Sequence, residues 1–445
     1  MTRLSPLGSR PLPAALLVAA ALLAVAACDE RTPTSVDVTP LPPEPVTVEV
    51  EFPWDDFASN LAVYGGYSGP EALEESIVAR AFAGTLDART LIRWGAFPTG
   101  ASVRDSTGTL RTDLNISIYA GYVVAYIDVA ASTNTGPVTL GLGALQNEWH
   151  APSTTWTSAV DTLGEQRAWP EAGAGPVTPL ATRDWSPADG DSVQFFVDSA
   201  TIAAWRDPAD PGGSSARIEL LTDGPRMRIV GGALRLETRS SIDPDTVLIL
   251  TAAAAEVTFV YTPSATPPAD GMRVGGAPAW RTVFDIAIPT ALTGPPALCA
   301  SVGCPFTIGP QHVSHAGLAL RSRRTEDAYQ PTDSVALDVR PVLSRAALPK
   351  SPLGGSLLAD PLGQRVGPEP FATQEGSLVE IPISAFVRGY LAGPDASGRP
   401  PPGTLALLSA TEPEGFTFAS FFGPGGVNEP VLKLILTVSP PMELQ

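Results

Sequence analysis

Short runs of alternating apolar and polar residues dominate the sequence from residue 46 onward. Residues 46–52 read VTVEVEF and residues 114–118 read LNISI, and residues 217–220 and 234–236 continue the pattern. A period of two buries one face of a strand and leaves the other in water, as in antiparallel sheets. Clusters of Gly, Pro, Asp and Ser separate the runs, so the sequence predicts an all-β protein with many turns. The single predicted helix covers residues 70–83 (PEALEESIVARAFA), with Pro and Glu in its first turn.

An internal repeat divides this β-rich region in two. Four landmarks recur in the same order at offsets between 185 and 198 residues. They are Arg89-Thr90-Leu91 and Arg281-Thr282-Val283, residues 197–205 and 382–390, residues 218–222 and 405–409, and residues 233–236 and 431–434. The repeat predicts two tandem antiparallel β-sandwich domains, each jelly-roll-like: module 1 over residues 46–243 and module 2 over residues 244–440. Residues 441–445 form a tail.

Both modules resemble the DNRLRE domain of exported bacterial proteins, which is similar to carbohydrate-binding modules. Module 1 carries the resemblance on Arg89-Thr90-Leu91, on Trp149 and Trp156 (WHAPSTTW), and on residues 193–205 and 233–236. Module 2 carries it on Arg281-Thr282-Val283 and on residues 316–320, 381–390 and 429–432. The resemblance implies a β-sandwich fold, an exported location, and a binding or structural role. It transfers no catalytic residue, because the family pattern contains none.

The N-terminus has the pattern of a bacterial lipoprotein signal. Arg3 and Arg10 precede an apolar run of 12 residues over 16–27, which is too short to span a bilayer core of about 30 Å. The run ends in Val-Ala-Ala before Cys28 and resembles a lipobox, which implies removal of residues 1–27 and lipidation of Cys28. Residues 28–45 then form a Pro-rich tether. These features predict a protein anchored by lipid to a bacterial membrane, at the outer membrane or cell surface rather than the inner membrane.

Charge and motif content exclude several classes of function. The formal net charge is −18 and no basic patch is present, which argues against nucleic acid as a partner. The sequence contains only three His residues and no G-x-S-x-G, H-E-x-x-H, P-loop or G-x-G-x-x-G motif. Its acidic doublets consist of adjacent residues, which point to opposite faces of a strand. We therefore expect no enzymatic activity and no required cofactor.

Four residues, including Gly303, separate Cys299 from Cys304. In an exported protein this pair is expected to form a disulfide. The alternative adds His312 and His315 to give C-x(4)-C-x(7)-H-x(2)-H, a set of four zinc ligands. Exported Cys pairs usually oxidise, which favours the disulfide.

Two further binding features remain open. Asp189 and Asp191 flank a glycine and can offer oxygen ligands to Ca²⁺, although a plain turn before the strand at 193–197 is the favoured interpretation. Exposed aromatic rings can stack on sugars, and seven of the eight Trp residues lie in module 1. Because Trp149 and Trp156 are structural in the resembling family, the predicted ligand-binding residues are Trp169 and Trp185. Trp54, Tyr64 and Tyr67 form a second, weaker aromatic group.

The sequence as a whole favours a non-catalytic, membrane-anchored lipoprotein of the cell envelope that binds a polysaccharide or another surface component. An alternative is a structural or assembly scaffold that binds other envelope proteins. A polysaccharide-degrading enzyme is the third and least favoured possibility. An exposed aromatic strip would favour the first hypothesis, and a large exposed apolar patch would favour the second.

Overall fold

The structure of the protein is a computed structural model. It describes residues 44–65, 71, 73, 76–162, 164–277, 279–348, 351–412 and 415–439. The predicted signal peptide, Cys28, most of the predicted tether, Tyr67 and the tail lie outside the described residues. Within the described residues, no helix is long and apolar enough to cross a membrane.

Within these ranges the chain forms 26 strands and five short α-helices. The strands are β1 Val46–Pro53, β2 Ala58–Tyr64, β3 Ser76–Phe82, β4 Leu86–Trp94, β5 Ala101–Arg104, β6 Leu110–Asp113, β7 Ile116–Asp128, β8 Val138–Leu145, β9 Ser158–Asp161, β10 Gln166–Ala168, β11 Val177–Trp185, β12 Ser192–Asp198, β13 Ser215–Leu220, β14 Arg226–Ser240, β15 Val247–Tyr261, β16 Gly271–Val274, β17 Arg281–Ile286, β18 Ala291–Leu292, β19 Phe306–Thr307, β20 Val313–Arg323, β21 Val335–Pro341, β22 Gln364–Val366, β23 Leu378–Pro382, β24 Thr404–Ser409, β25 Ala419–Phe422 and β26 Val431–Val438.

The helices lie between strands and at sheet edges. They are α1 Trp54–Phe57, α2 Ser199–Arg206, α3 Pro296–Val302, α4 Glu369–Ala372 and α5 Ser384–Ala392. Single turns of 3₁₀ helix are formed by Pro187–Asp189, Pro310–His312, Asp327–Tyr329 and Arg345–Ala347. Every strand pair is antiparallel, so the predicted all-β class is confirmed.

Strands β3 to β15 build the first lobe, residues 76–261. Its main sheet has the order β11-β8-β13-β4-β15-β14-β7-β12, and β3 pairs with both β14 and β4. The long strand β15 joins the two halves, because its first half pairs with β14 and its second half with β4. The end strands also meet, where Arg183 of β11 donates to the backbone oxygen of Gln194 in β12 (3.2 Å). The sheet thus curls around one core, to which both halves contribute.

Strands β1, β2 and β16 to β26 build the second lobe. One sheet has the order β1-β26-β20-β25-β16 with β23 paired to β20, and the other has the order β2-β17-β24-β21-β22. Helix α1 separates β1 from β2 and directs Trp54 and Phe57 into the core. The Trp54 ring lies 5.3 Å from that of Phe284, which fixes this corner between the sheets.

The two lobes share one strand order. The series β11-β8-β13-β4-β15 in the first lobe corresponds to β22-β21-β24-β17-β2 in the second. Likewise, β12-β7-β14-β15 corresponds to β23-β20-β26-β1. All four repeat landmarks fall on corresponding elements, including the strand-helix units β12-α2 and β23-α5. Strand β15 therefore occupies in the first lobe the position that β1 and β2 share in the second.

The strand pairing corrects the predicted module boundaries. The sequence predicts residues 46–64 in module 1, but β1 pairs with β26 and β2 pairs with β17, both in the second lobe. It predicts residues 247–261 in module 2, but β15 completes the first lobe. The turn at 241–246 is short and lets β15 fold back on β14 as a hairpin. The first lobe is thus a continuous segment inserted between β2 and β16.

The prediction of a helix over residues 70–83 is wrong for residues 76–82, because Ser76–Phe82 forms strand β3. Ile77 packs into the cluster between the lobes, whereas Val78 packs into the core of the first lobe. A strand that is buried on both faces shows no alternation, and here tertiary packing overrides the local helix signals.

A shared apolar cluster joins the lobes. Phe259 and Tyr261 of the first lobe pack in it with Tyr329, Phe416 and Phe418 of the second. The Tyr329 hydroxyl also donates to the backbone oxygen of Thr262 (2.8 Å), at the start of the connection between the lobes. The lobes therefore share a buried apolar contact in addition to the connecting chain.

Candidate functional site

The structure buries both Trp residues predicted to bind a ligand. Trp169 is 5% exposed and Trp185 is 2% exposed. Trp185 ends β11 and faces the core of the first lobe, whereas Trp169 packs under the segment that covers the outside of β4 and β13. The Trp169 indole donates to the backbone oxygen of Thr155 (3.0 Å). Neither ring offers a free face, so the prediction that these residues stack on sugar is corrected.

The other Trp residues of the predicted aromatic groups are structural as well. The Arg93 guanidinium lies 4.5 Å from the centre of the Trp149 ring, and that of Arg89 lies 5.0 Å from Trp156. Trp54 is buried in the second lobe. Large aromatic side chains supply much buried area, and this chain uses these three in that way.

The predicted disulfide is confirmed, since Cys299 is bonded to Cys304 with a Cα–Cα distance of 5.0 Å. The alternative zinc site loses both sulfur ligands to this bond. Its two His residues have other partners: His312 Nδ1 accepts from the Gly309 N–H (2.9 Å), and His315 Nε2 pairs with Glu380 (2.5 Å). In the described part of the chain, no group of three or more His, Cys, Asp or Glu side chains is arranged to hold a metal.

The Asp189 carboxylate forms a local cap instead of an open calcium ligand. It accepts hydrogen bonds from the Ser186 N–H (2.7 Å) and the Ser186 hydroxyl (2.8 Å). This arrangement corresponds to the turn that the sequence favours over a calcium site.

A different set of aromatic residues lies on the outer face of the first lobe. We call this set the aromatic strip, and it consists of Tyr119, Tyr122 and Tyr126 of β7 and Phe196 of β12. Phe196 stands directly opposite Tyr122 in the strand register, with ring centres 5.7 Å apart and planes at 71°. Phe196 is 52% exposed, which is unusual for a Phe side chain in a sheet.

Strand geometry sets the length of the strip. Tyr122 and Tyr126 lie four residues apart on one face of β7, a separation of about 13 Å. Between them lies the buried Val124, which stands opposite Ala233 of β14. Tyr119 extends the strip in the other direction, and the Arg239 guanidinium lies 5.4 Å from the centre of its ring. The strip is thus an elongated surface and not a closed pocket.

Polar groups with unused hydrogen-bonding capacity line the strip. Arg235 of β14 stands opposite Tyr122 and is half-buried, yet within the described residues it forms no hydrogen bond or ion pair. The hydroxyls of Tyr122 and Tyr126 and the side-chain amide of Gln194 likewise have no partner in that part of the chain. Most other half-buried arginines are paired, as Arg93 is with Glu256 (2.5 Å). Arg235 is therefore available to a ligand.

The second lobe does not repeat the strip on the corresponding face. There Gly317 of β20 stands opposite Lys433 of β26, and Lys433 is paired with Glu49 of β1 (2.9 Å). The strand that corresponds to β12 carries Leu378 and Glu380, and Glu380 is engaged by His315. Corresponding faces of the two lobes thus differ in chemistry, although their strand orders agree.

The strip was missed from the sequence because the candidate residues were chosen for being Trp, and not for the face of the strand on which they lie. A signal was present in YVVAYID, residues 122–128, where both Tyr residues fall on the face opposite Val123, Ala125 and Ile127. These last three side chains are buried in the core of the first lobe. Aromatic rings on the polar face of an alternating strand are the more informative pattern, because core packing does not require them.

Comparisons with known proteins add little to this geometry. No protein-family model matches the chain, and no curated protein matches it. Among solved structures, it is similar to the N-terminal CBM22-1–CBM22-2 tandem domain of Xyn10C from Paenibacillus barcinonensis. That similarity covers 89% of this chain and 98% of the other, at 7% identity and a TM-score of 0.12. A TM-score this low does not establish a shared topology.

Proposed function

We propose that this protein is a non-catalytic binding protein of the bacterial cell envelope that holds a polysaccharide on the aromatic strip. The observation that carries the proposal is the contact of the exposed Phe196 with the half-buried Tyr122, beside a half-buried Arg235 that has no hydrogen bond or ion pair among the described residues. Sugar rings combine apolar C–H faces with many hydroxyls, and they require both kinds of contact at once. The strip supplies aromatic rings for the former and free donors and acceptors for the latter.

The open shape of the strip favours a polymer over a small molecule. A small ligand needs a concave site that buries most of its surface. An extended chain can instead gather many weak contacts along a surface, and two Tyr residues about 13 Å apart can each contact a separate sugar unit. Arg235 would donate to ring or hydroxyl oxygens, or to a carboxylate if the polymer is acidic.

Affinity electrophoresis of residues 44–445 through gels that contain neutral or acidic polysaccharides tests this function. We expect Phe196→Ala to abolish the retardation that one polymer causes, because Phe196 is the most exposed ring of the strip. The matched control is Leu378→Ala, since Leu378 is also 52% exposed and lies on the corresponding strand of the second lobe. Equal retardation of both variants, or no retardation of the unaltered protein by any polymer, would refute polysaccharide binding at the strip.

One observation favours the scaffold alternative. Val247 and Ile249 of β15 are exposed on the same face as Arg239 and Glu237, and they extend the apolar surface beyond the aromatic rings. Aliphatic side chains contribute more to protein contacts than to sugar contacts. If no polymer retards the protein, a docking surface for another envelope protein becomes the better interpretation of this face.

Membrane anchoring through Cys28 and the location at the outer membrane or cell surface are part of the proposal. They rest on the lipobox-like sequence, and Cys28 lies outside the described residues. In a bacterial host supplied with labelled palmitate, we expect label on the unaltered chain and none on Cys28→Ser, which should also shift from the membrane to the soluble fraction. Cys299→Ser is the control and should keep its label. A Cys28→Ser protein that still carries label would contradict lipidation at this residue.

A further inference from the structure

A polar cleft lies where the two lobes meet, away from the aromatic strip. Its volume is about 520 Å³, which falls within the range of small-molecule sites. The first lobe contributes residues 130–133 and the β14 residues Arg226 and Arg228. The second lobe contributes residues 331–335 and 415–417, together with Gly275, Gly276 and Ser409.

The walls of the cleft are fixed by the contacts that join the lobes. Phe416 forms part of the shared apolar cluster and also lines the cleft. Gly276 has a φ of +77°, and a Cβ atom there would lie 3.1 Å from the Phe416 oxygen and 3.2 Å from the Thr417 oxygen. Only glycine fits this close approach without strain, so the backbone of the cleft is preformed.

Four hydroxyl groups on the second-lobe wall have no hydrogen-bond partner within the described residues. They belong to Thr332, Ser334, Ser409 and Thr417. The hydroxyls of the opposite wall are already used: Ser132 donates to the Asp128 oxygen (2.7 Å) and Thr133 donates to the Arg226 oxygen (3.2 Å). The hydroxyls of the first-lobe wall are thus engaged within the protein. Those of the second-lobe wall have no partner among the described residues and can donate to or accept from a ligand.

The charged groups of the cleft have both signs, and both of its arginines contact other side chains. Arg226 lies over the rings of Phe82 (5.5 Å) and Phe416 (5.3 Å), and Arg228 lies 3.6 Å from Asp128. Asp333 accepts from the Ser334 N–H with one oxygen, and its other oxygen has no partner among the described residues. An incoming carboxylate would face this Asp, whereas a ligand hydroxyl can donate to it.

From these observations we infer that the cleft binds a short neutral oligosaccharide. Such a ligand donates to the free Asp333 oxygen and exchanges hydrogen bonds with the four hydroxyls, and its size matches the volume. This site does not depend on the aromatic strip, because the two share no residue. A ligand here contacts both lobes, so its binding stabilises their contact.

Titration calorimetry of residues 44–445 with maltose, cellobiose, xylobiose and mannobiose tests the inference, with digalacturonate as the acidic probe. We expect one neutral disaccharide to bind. Thr417→Val and Ser334→Ala should each weaken that binding by about two- to tenfold, since each removes one hydrogen bond. Thr332→Trp should abolish binding by filling the cleft, and Phe196→Ala should leave it unchanged.

Circular dichroism separates lost binding from lost folding. If Thr332→Trp does not fold, Asp333→Asn takes its place, because Asp333 is exposed and its replacement should not disturb folding. This variant should bind the neutral disaccharide more weakly and should still not bind digalacturonate. Binding of the acidic disaccharide alone would overturn the inference, as would the absence of binding by every neutral disaccharide. Binding that is lost in Phe196→Ala but kept in Thr417→Val and Ser334→Ala would place the sugar at the strip, which supports the proposed function and refutes the cleft.

Discussion

Deleting residues 46–64 is expected to unfold the second lobe and to leave the first lobe folded. These residues form β1 and β2, which supply one strand to each sheet of the second lobe. They also place Phe52, Trp54 and Phe57 in its core. The first lobe loses no strand, because β15 fills the corresponding position there. The stabilisation lost with two edge strands and three large aromatic side chains exceeds the free energy of unfolding of a typical domain, about 5–15 kcal/mol.

Limited proteolysis followed by mass spectrometry measures this outcome. A resistant fragment close to residues 76–261 should survive from the deletion variant, while residues 262–438 should be digested. The matched control deletes residues 247–261, which removes β15 and should reverse the result by damaging the first lobe. A deletion variant of residues 46–64 that keeps a protease-resistant second lobe would show that β1 and β2 are dispensable, contrary to the pairing.

Replacing Trp185 by Ala is expected to destabilise the first lobe by about 3–5 kcal/mol. The side chain is buried among core residues from both halves of the sheet, and its removal leaves a cavity that the surrounding strands cannot fill. Denaturant unfolding followed by circular dichroism measures the loss. Polysaccharide retention by the fraction that remains folded should be unchanged, because Trp185 does not reach the outer face.

Trp185→Phe provides the control for this variant. The indole nitrogen of Trp185 is buried without a hydrogen-bond partner in the described structure, so Phe loses volume but no hydrogen bond. We expect a smaller loss, roughly 1–2 kcal/mol, in line with partial truncation of a buried side chain. A Trp185→Ala variant of unchanged stability that no longer binds polymer would restore Trp185 as a ligand-binding residue.

The sequence predicted the fold class because alternation is a local property. In runs such as residues 46–52 and 234–236, the alternation within the run itself indicates which side chains are buried. The structure places these runs in strands β1 and β14. The Cys299–Cys304 bond was predictable for the same reason, since its partners are close in the chain. The recurrence of four landmarks also reflected a real correspondence, which extends to the strand order of both lobes.

The domain boundaries could not be predicted in this way. The alternation within a strand indicates which of its faces is buried, but it does not indicate which strand is its neighbour in the sheet. Strands β1 and β15 occupy corresponding positions, and each could complete either lobe on the evidence of its pattern. The choice depends on the short turn at 241–246, which favours a hairpin between β14 and β15. Connection length, rather than side-chain pattern, therefore decides the partition.

The candidate site was missed for a related reason. Trp169 and Trp185 lie in a stretch rich in turn residues, which predicted exposure, but tertiary packing buries both. The strip instead joins β7 and β12, whose side chains lie about 70 residues apart in the sequence. The unused hydroxyls of the cleft come from three separate segments of the second lobe. Such groups are brought together by the order of strands in the sheets, so no pattern within a single segment of the sequence predicts them.

The insertion of the first lobe between β2 and β16 also determines how the molecule carries mechanical load. Tension applied between the start of β1 and the first lobe runs along β1, α1 and β2 before it leaves the second lobe. Eight residue pairs join β1 to β26, and their hydrogen bonds lie across the direction of pull. They are loaded together in shear rather than opened one at a time. We therefore expect the second lobe to resist such a load in series with the lobe that carries the aromatic strip.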